Sequence, residues 1–255
     1  DWQSPPRERK GNHRPFPPYQ RETFQEHVKR MVRVYELPFY DHREGRHCLP
    51  LGEELAYVAS HVEKAYSWPS GTLDQLARLI IALHDLGKLD ERWQVWAHRW
   101  QEEVSKLRGE DLDIPDDYMA AHTDYNEQVQ DEEALNRKFY RMRPNHAVES
   151  AQAAEDLLWE RIGEQGLVRT ALTTIARHHS AGARGGYGDF RAHPAAQKAL
   201  TEVIAGLDPA LVQYHFPEGS LARKLIRPDR QEELLPYLLL VRVLRLADQR
   251  SQEVR

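Results

Sequence analysis

Apolar residues recur at helical spacing along nearly all of the chain beyond its first twenty positions. The pattern predicts helices over about 22–36, 51–67, 72–86, 91–106, 124–140, 146–162, 167–180, 195–206 and 231–250. No segment alternates convincingly as a strand, β-branched residues are sparse, and no internal repeat stands out, so the expected class is all-α. Residues 1–20 hold Pro5, Pro6, Pro15, Pro17 and Pro18 among charged side chains and read as a linker or tail. Residues 21–255 then form one helical domain. Two stretches read as loops: 109–123, acidic and carrying Pro115, and 180–194, with Gly182, Gly185, Gly186 and Gly188 as a candidate mobile rim.

Composition narrows the chemistry. A net charge of -5 over 255 residues gives no global basic signature, so nucleic-acid contact has to come from local patches. Cys48 is the single cysteine, which excludes a disulfide framework and a thiolate zinc cluster and suits a reducing cytoplasm. No apolar run approaches the length of about 18 residues that a membrane span needs, and no signal peptide is visible. The expected location is cytoplasmic. Thirteen histidines leave position to decide which of them matter.

Four positions stand out. Leu73, Ala77, Ile80 and His84 share one helical stripe, so His84 faces inward, and Asp85 follows it directly. Gly87 is placed to stop that helix in a left-handed conformation, which leaves Asp85 in the last turn, where the helix dipole disfavours its charge. A nearby cation removes that penalty. Leu172, Ile175, Ala176 and His179 share a second face; His178 borders it, and both imidazoles reach one site only at a helix end. Leu234, Leu238, Val241, Leu244 and Asp248 form a third stripe, ending on an aspartate whose plainer partner is Arg245 or Arg250. His146 opens a helix whose Ala153, Ala154 and Leu157 face inward, with Asn145 as a natural N-cap. Buried imidazole and carboxylate without thiolate suit manganese, iron, nickel, cobalt or zinc better than magnesium alone. One or two such ions hydrolyse phosphoesters, lowering the pKa of water and stabilising transition-state charge.

These residues resemble the HD superfamily of metal-dependent phosphohydrolases, and more narrowly the HD nuclease domain of the type I CRISPR-associated helicase–nuclease. The resemblance rests on His84-Asp85-Leu86-Gly87-Lys88 followed by Trp93-Gln94, on His146-Ala147-Val148-Glu149-Ser150, on Ala176-Arg177-His178-His179-Ser180, and on Leu244-Arg245-Leu246-Ala247-Asp248-Gln249-Arg250-Ser251. It covers about residues 22–252. It implies an all-α HD-domain helical bundle that cuts single-stranded DNA. One ion would be held by His84, Asp85, Asp248 and an upstream histidine; the second by Asp85, His146, His178 and His179. Asp85 and Lys88 would be the catalytic pair, with Lys88 close to the scissile phosphate. The implied partners are single-stranded DNA, a helicase module (fused or separate) and a CRISPR RNA-guided surveillance complex.

For the upstream ligand, the usual HD spacing lands on Glu54, whereas the best local motif is His27 in Thr23-Phe24-Gln25-Glu26-His27-Val28; His61 is a third choice. His27 is favoured. The proline-rich start and the end soon after Asp248 fit an HD unit that follows its helicase, although a separate subunit remains open. These residues contain no GxxxxGK[ST] motif and are not themselves an ATP-driven motor. Trp93, Trp96 and Trp100 have core spacing, with Arg92 and Arg99 left at the rim; Arg177, Arg184 and Arg191 are the candidate phosphate contacts. The rival readings are an HD phosphohydrolase of a nucleotide or cyclic dinucleotide, and a catalytically silent HD binding module.

Overall fold

The computed structural model describes residues 19–41, 45–180, 190–205 and 224–252. Helix α1 (Phe24–Glu36) begins at a capping box: the Glu26 amide donates to Thr23 Oγ1 and the Thr23 amide to Glu26 Oε2. It buries Phe24, His27, Val28, Met31, Val34 and Tyr35, one stripe at helical spacing. Helices α2 (Leu51–Ala65) and α3 (Thr72–Leu83) follow. The buried Glu63 of α2 accepts hydrogen bonds from the amides of Gly71 and Leu73, satisfying the start of α3 from outside it. All of Ile80–Leu83 is buried, so α3 is the central helix.

A 3₁₀ turn, Leu86–Leu89, separates α3 from α4 (Glu91–Arg108). Then come α5 (Gln130–Tyr140), α6 (Ala147–Ala153), α7 (Glu155–Ile162), α8 (Gln165–Ala176), α9 (Ala196–Ala205) and α10 (Gln231–Ser251). Helix α10 lies across α8, α1, α2 and α3, and α6 packs on α8 and the 3₁₀ turn. One continuous apolar core joins α1, α2, α3, α6, α8 and α10. A smaller cluster, Trp100, Val104 and Phe139, joins α4 to α5. The fold is all-α, as expected, and no described helix is long and apolar enough to cross a membrane.

Several local expectations are corrected. Two short antiparallel strand pairs exist: β1 (Glu22–Thr23) with β4 (Ala120–His122), and β2 (Phe39–Asp41) with β3 (Arg46–Cys48). At two or three residues each they are too short for alternation to show. The Gln94 amide clamps Ala120 on both sides, accepting from its N–H at 2.8 Å and donating to its carbonyl at 3.0 Å, while also donating to Lys88 O at 2.6 Å. Residues 109–123 are therefore partly a fixed wall.

The expected helix 72–86 ends at Leu83, with His84 as C-cap and Asp85 opening the 3₁₀ turn; Asp85 does not sit in an α-helical last turn. Gly87 has no positive φ, and left-handed helix stops are found instead at Gly109 after α4 and Gly163 after α7. Gly87 is needed for close approach, because a Cβ there would lie 2.9 Å from both the His146 carbonyl carbon and Glu149 Cβ. The expected helix 146–162 breaks at Ala154, and its N-cap is His146, without a side-chain bond, not Asn145. On α10 the buried residues are Glu233, Pro236, Leu240, Val241, Val243, Leu244, Ala247 and Ser251, so Val241 and Leu244 of the expected stripe are buried while Leu238 is exposed and Leu234 only half-buried.

Of the segment 1–20, only Tyr19 and Gln20 fall within the described residues, and Tyr19 forms a bridge with Tyr125. Gly182, Gly185, Gly186, Gly188 and Arg184 lie outside the described residues.

Candidate metal centre

Four helix ends and one helix face converge on Asp85. His84 caps α3, His146 caps α6, His178 and His179 follow the end of α8, and Asp248 lies in the last turn of α10. His27 comes from the buried face of α1. The two oxygens of Asp85 look toward different groups. Oδ2 lies 3.2 Å from His84 Nε2, 3.5 Å from His27 Nε2 and 2.7 Å from Lys88 Nζ. Oδ1 lies 3.4 Å from His146 Nε2 and 3.8 Å from His178 Nε2. His146 Nε2 and His179 Nε2 are 2.8 Å apart, and Asp248 Oδ1 is 3.5 Å from His27 Nε2. The donor atoms of His27, His84 and Asp85 fall within one ion's reach, as do those of Asp85, His146, His178 and His179.

Hydrogen bonds on the far side of the rings fix how the imidazoles face the centre. His84 Nδ1–H donates to Ile81 O and His178 Nδ1–H to Ile175 O, since a carbonyl can only accept. His27 Nδ1 lies 2.9 Å from Glu22 Oε1. Each ring thereby presents Nε2 to the centre, in the manner of metal-ligating histidines with an outer partner. His27 Nε2, His84 Nε2, His178 Nε2 and Asp85 Oδ1 are buried and have no hydrogen-bond partner among the described residues. Four orphaned polar atoms in one place are costly unless a cation meets them. The residues present thus fit one or two divalent ions of the imidazole- and carboxylate-loving kind.

Electrostatics agree with that fit. Burial disfavours charge on Asp85, yet His84 and Lys88 outweigh it and hold the carboxyl well below the usual range. Burial likewise opposes charge on His84, and the Asp85 carboxylate overrides it and raises the imidazole. Burial pushes His146 and His178 well below the ordinary histidine value, and desolvation brings His179 to about 4, so these three stay neutral and available as ligands near pH 7.

The remaining candidates separate clearly. Of the three upstream choices the structure brings His27 to the centre. Glu54 is exposed and lies 3.4 Å from Arg250, and His61 is exposed with Nδ1 on Tyr57 O. Neither arginine expected beside Asp248 takes that part: Arg250 faces Glu54, and Arg245 donates to the carbonyls of His178 and Arg177. Arg245 thus holds the corner that carries the two histidines.

A cavity of about 690 Å³ opens beside the centre, reaching from Lys88, His146, His179 and Asp248 to Trp93, Trp96, Trp100, Tyr140 and Arg143. Trp93 and Trp100 are buried, as their spacing predicts, but all three tryptophans also wall this cavity. Arg177, Arg191, Arg92 and Arg99 are not among its lining residues. Sequence reasoning missed Arg143, Glu22 and His122, and named Arg245 only as a partner for Asp248 and Ser150 only within a motif. His122 sits in a stretch without periodicity, and its ring lies 4.6 Å from that of His27. Of the three missed outright, only Glu22, next to the readable capping box before His27, offered a local signal.

A family model described as "Cas3, HD domain" matches residues 51–231, well over half of the chain. The chain belongs to the Cas3 HD-domain family. Membership makes it a metal-dependent phosphohydrolase domain of the CRISPR context, the HD nuclease type of Cas3. The matched span includes His84, Asp85, Lys88, His146, His178 and His179 and leaves out His27 and Asp248, which join the Cas3 HD centre through geometry alone. No curated protein and no solved structure matches the chain.

Proposed function

We propose that this Cas3 HD domain, taken as residues 21–255, hydrolyses phosphodiester bonds of single-stranded DNA in type I CRISPR interference, in the cytoplasm. A helicase module and an RNA-guided surveillance complex would deliver the strand. The observation that carries the reading is the position of Asp85, with one carboxylate oxygen turned to each of two buried histidine groups. His27, His84, Asp248 and Asp85 Oδ2 would hold one ion; Asp85 Oδ1, His146, His178 and His179 the other. Bound manganese, iron, nickel, cobalt or zinc supplies Lewis acidity toward the phosphate and lowers the pKa of water.

The chain's own residues do the positioning. Asp85 joins the two groups of ligands, and its depressed pKa keeps it ionised for that task. Lys88 Nζ, on Asp85 and at the cavity wall, balances the carboxylate and meets a non-bridging phosphate oxygen. Glu22 and the carbonyls of Ile81 and Ile175 fix the ring orientations. Buried donor atoms of His27, His84, His146, His178 and Asp85, gathered into two groups within an ion's reach, favour an active centre over a silent binding module. A cavity rim carrying the exposed Tyr140 and Arg143 favours a strand over a nucleotide enclosed in a pocket.

The test is metal-stripped protein with circular single-stranded DNA and manganese, nickel, cobalt or magnesium, beside Asp85→Asn. Nicking that requires metal and vanishes in the variant is the expected result. Hydrolysis of mononucleotides or cyclic dinucleotides with no nicking would replace DNA as the substrate.

A further inference from the structure

We propose that Arg143 and the tryptophan wall of α4 form a clamp for unpaired DNA beside the metal centre, Arg143 taking a backbone phosphate and Trp96 a base. The proposal rests on the nuclease reading and names the residues that hold its substrate.

Trp93, Trp96 and Trp100 are fixed by bonds to other elements. Their indole N–H groups donate to Ala120 O at 3.3 Å, Phe139 O at 3.3 Å and Asp124 O at 2.8 Å, carbonyls on β4, on α5 and in the segment between them. Neighbouring ring centroids lie 5.1 and 6.2 Å apart. The rings are thus anchored by bonds to other elements, and Trp96 is only half-buried. A pre-set aromatic surface of this kind stacks bases without regard to sequence.

Arg143 projects from the turn before α6, with its guanidinium carbon 4.9 Å from the Trp93 centroid and 5.3 Å from that of Trp96. It is exposed, and among the described residues no carboxylate pairs with it. Nearby arginines are committed differently: Arg108 to Glu132, Arg137 to Glu133, Arg92 to Asp90. Lys88 Nζ lies 5.5 Å from the same Trp93 ring, and Asp248 is the one carboxylate among the cavity-lining residues. A chain with a net charge of -5 therefore turns cations and aromatic faces toward the cavity that leads to Asp85. An arginine stacked on indole and without a carboxylate partner suits a phosphate on a strand that lays a base against the half-buried Trp96.

The test is fluorescence anisotropy of a short labelled oligothymidylate with the full chain in chelator, across a salt series. Arg143→Gln is expected to weaken binding about tenfold and to flatten the slope of log affinity against log salt by about 0.7, the share of one phosphate on a single strand. Arg143→Lys retains the slope. Trp96→Leu weakens binding about tenfold and leaves the slope unchanged, which separates stacking from charge. Circular dichroism checks each fold, and the exposed Arg143 decides the outcome even where the Trp96 variant unfolds. Unchanged affinity and slope in Arg143→Gln would overturn the clamp, as would the same losses on duplex DNA or tighter binding of oligouridylate. If the Arg143 effects are present and no metal supports cutting, the hydrolase reading fails and the clamp stands. If the chain cuts single strands and Arg143→Gln changes neither quantity, the clamp fails and the hydrolase reading stands.

Discussion

Gly87 is the position where one methyl group tests how the centre is built. Its amide donates to Ser150 Oγ at 2.8 Å, and Ser150 Oγ in turn donates to His146 O. The 3₁₀ turn and the first turn of α6 meet here with no room for a side chain. A Cβ would stand 2.9 Å from the His146 carbonyl carbon and from Glu149 Cβ, with the His146 oxygen nearer still. Ordinary carbon–carbon contact needs about 3.5–4.0 Å, so Gly87→Ala must part the two elements by about 0.6–1 Å. Overpacking of that kind costs about 1–3 kcal/mol, and a lost or stretched bond to Ser150 adds about 1 kcal/mol. The expected destabilisation is about 2–4 kcal/mol. The parting also carries His146 away from Asp85. Metal sites tolerate ligand displacements of only about 0.2 Å, so manganese affinity is expected to fall by about 10- to 100-fold, the range seen when ligand support is lost.

Gly109→Ala is the control. Gly109 has φ +67° and nothing within 4 Å of where a methyl group would stand, so its substitution strains the backbone alone, by about 1 kcal/mol. It lies just past the C-terminal end of α4, whereas the 3₁₀ turn of the centre precedes the start of that helix. Urea unfolding at constant m and calorimetric metal titration measure both variants. A Gly87→Ala protein within about 0.5 kcal/mol of wild type and with unchanged manganese affinity would refute the close-approach argument.

Two further outcomes follow from the same geometry. Arg245→Met removes the guanidinium that holds the carbonyls of Arg177 and His178, and is expected to cost about 1.5–3 kcal/mol in urea unfolding and about tenfold in metal affinity, with Arg245→Lys recovering part of each. The metal-free protein is expected to lose stability as pH falls from about 6.5 toward 4: His146, His178 and His179 have depressed pKa values when folded, so the unfolded chain takes up their protons first. His84 is raised and acts in the opposite sense, but only above 6.5, where its contribution is lost as pH rises; His122, also depressed by burial, adds to the loss toward acid, and urea midpoints that rise on acidification would contradict it.

What the sequence made legible was periodicity and the residues that interrupt it. The helices of the core were readable because Phe24, Val28, Met31 and Leu73, Ala77, Ile80 repeat with the helical period. His84 and Asp85 were readable because polar groups at the end of such a stripe demand a partner. The β1–β4 pairing and the Gly87 contact were not, since each is decided by a neighbour distant in sequence: Gln94 clamping Ala120, Ser150 reaching Gly87. His27 was chosen over Glu54 on its local motif, against the usual spacing, and the structure shows why spacing misled. Spacing counts residues, whereas α2 and α3 fill the interval between α1 and the His-Asp doublet without lengthening the path through space.

The same contrast explains why the centre sits where it does. Within a helix, adjacent side chains point about 100° apart, so His84-Asp85 and His178-His179 can each serve one site only where the helix has ended. The structure ends α3 at Leu83 and α8 at Ala176 and satisfies the freed carbonyls of Ile81 and Ile175 with the Nδ1–H groups of the very histidines that turn inward. Helix termination and ligand orientation are one event at both corners. It follows that substitutions which lengthen either helix would disorder the centre while leaving the apolar core intact.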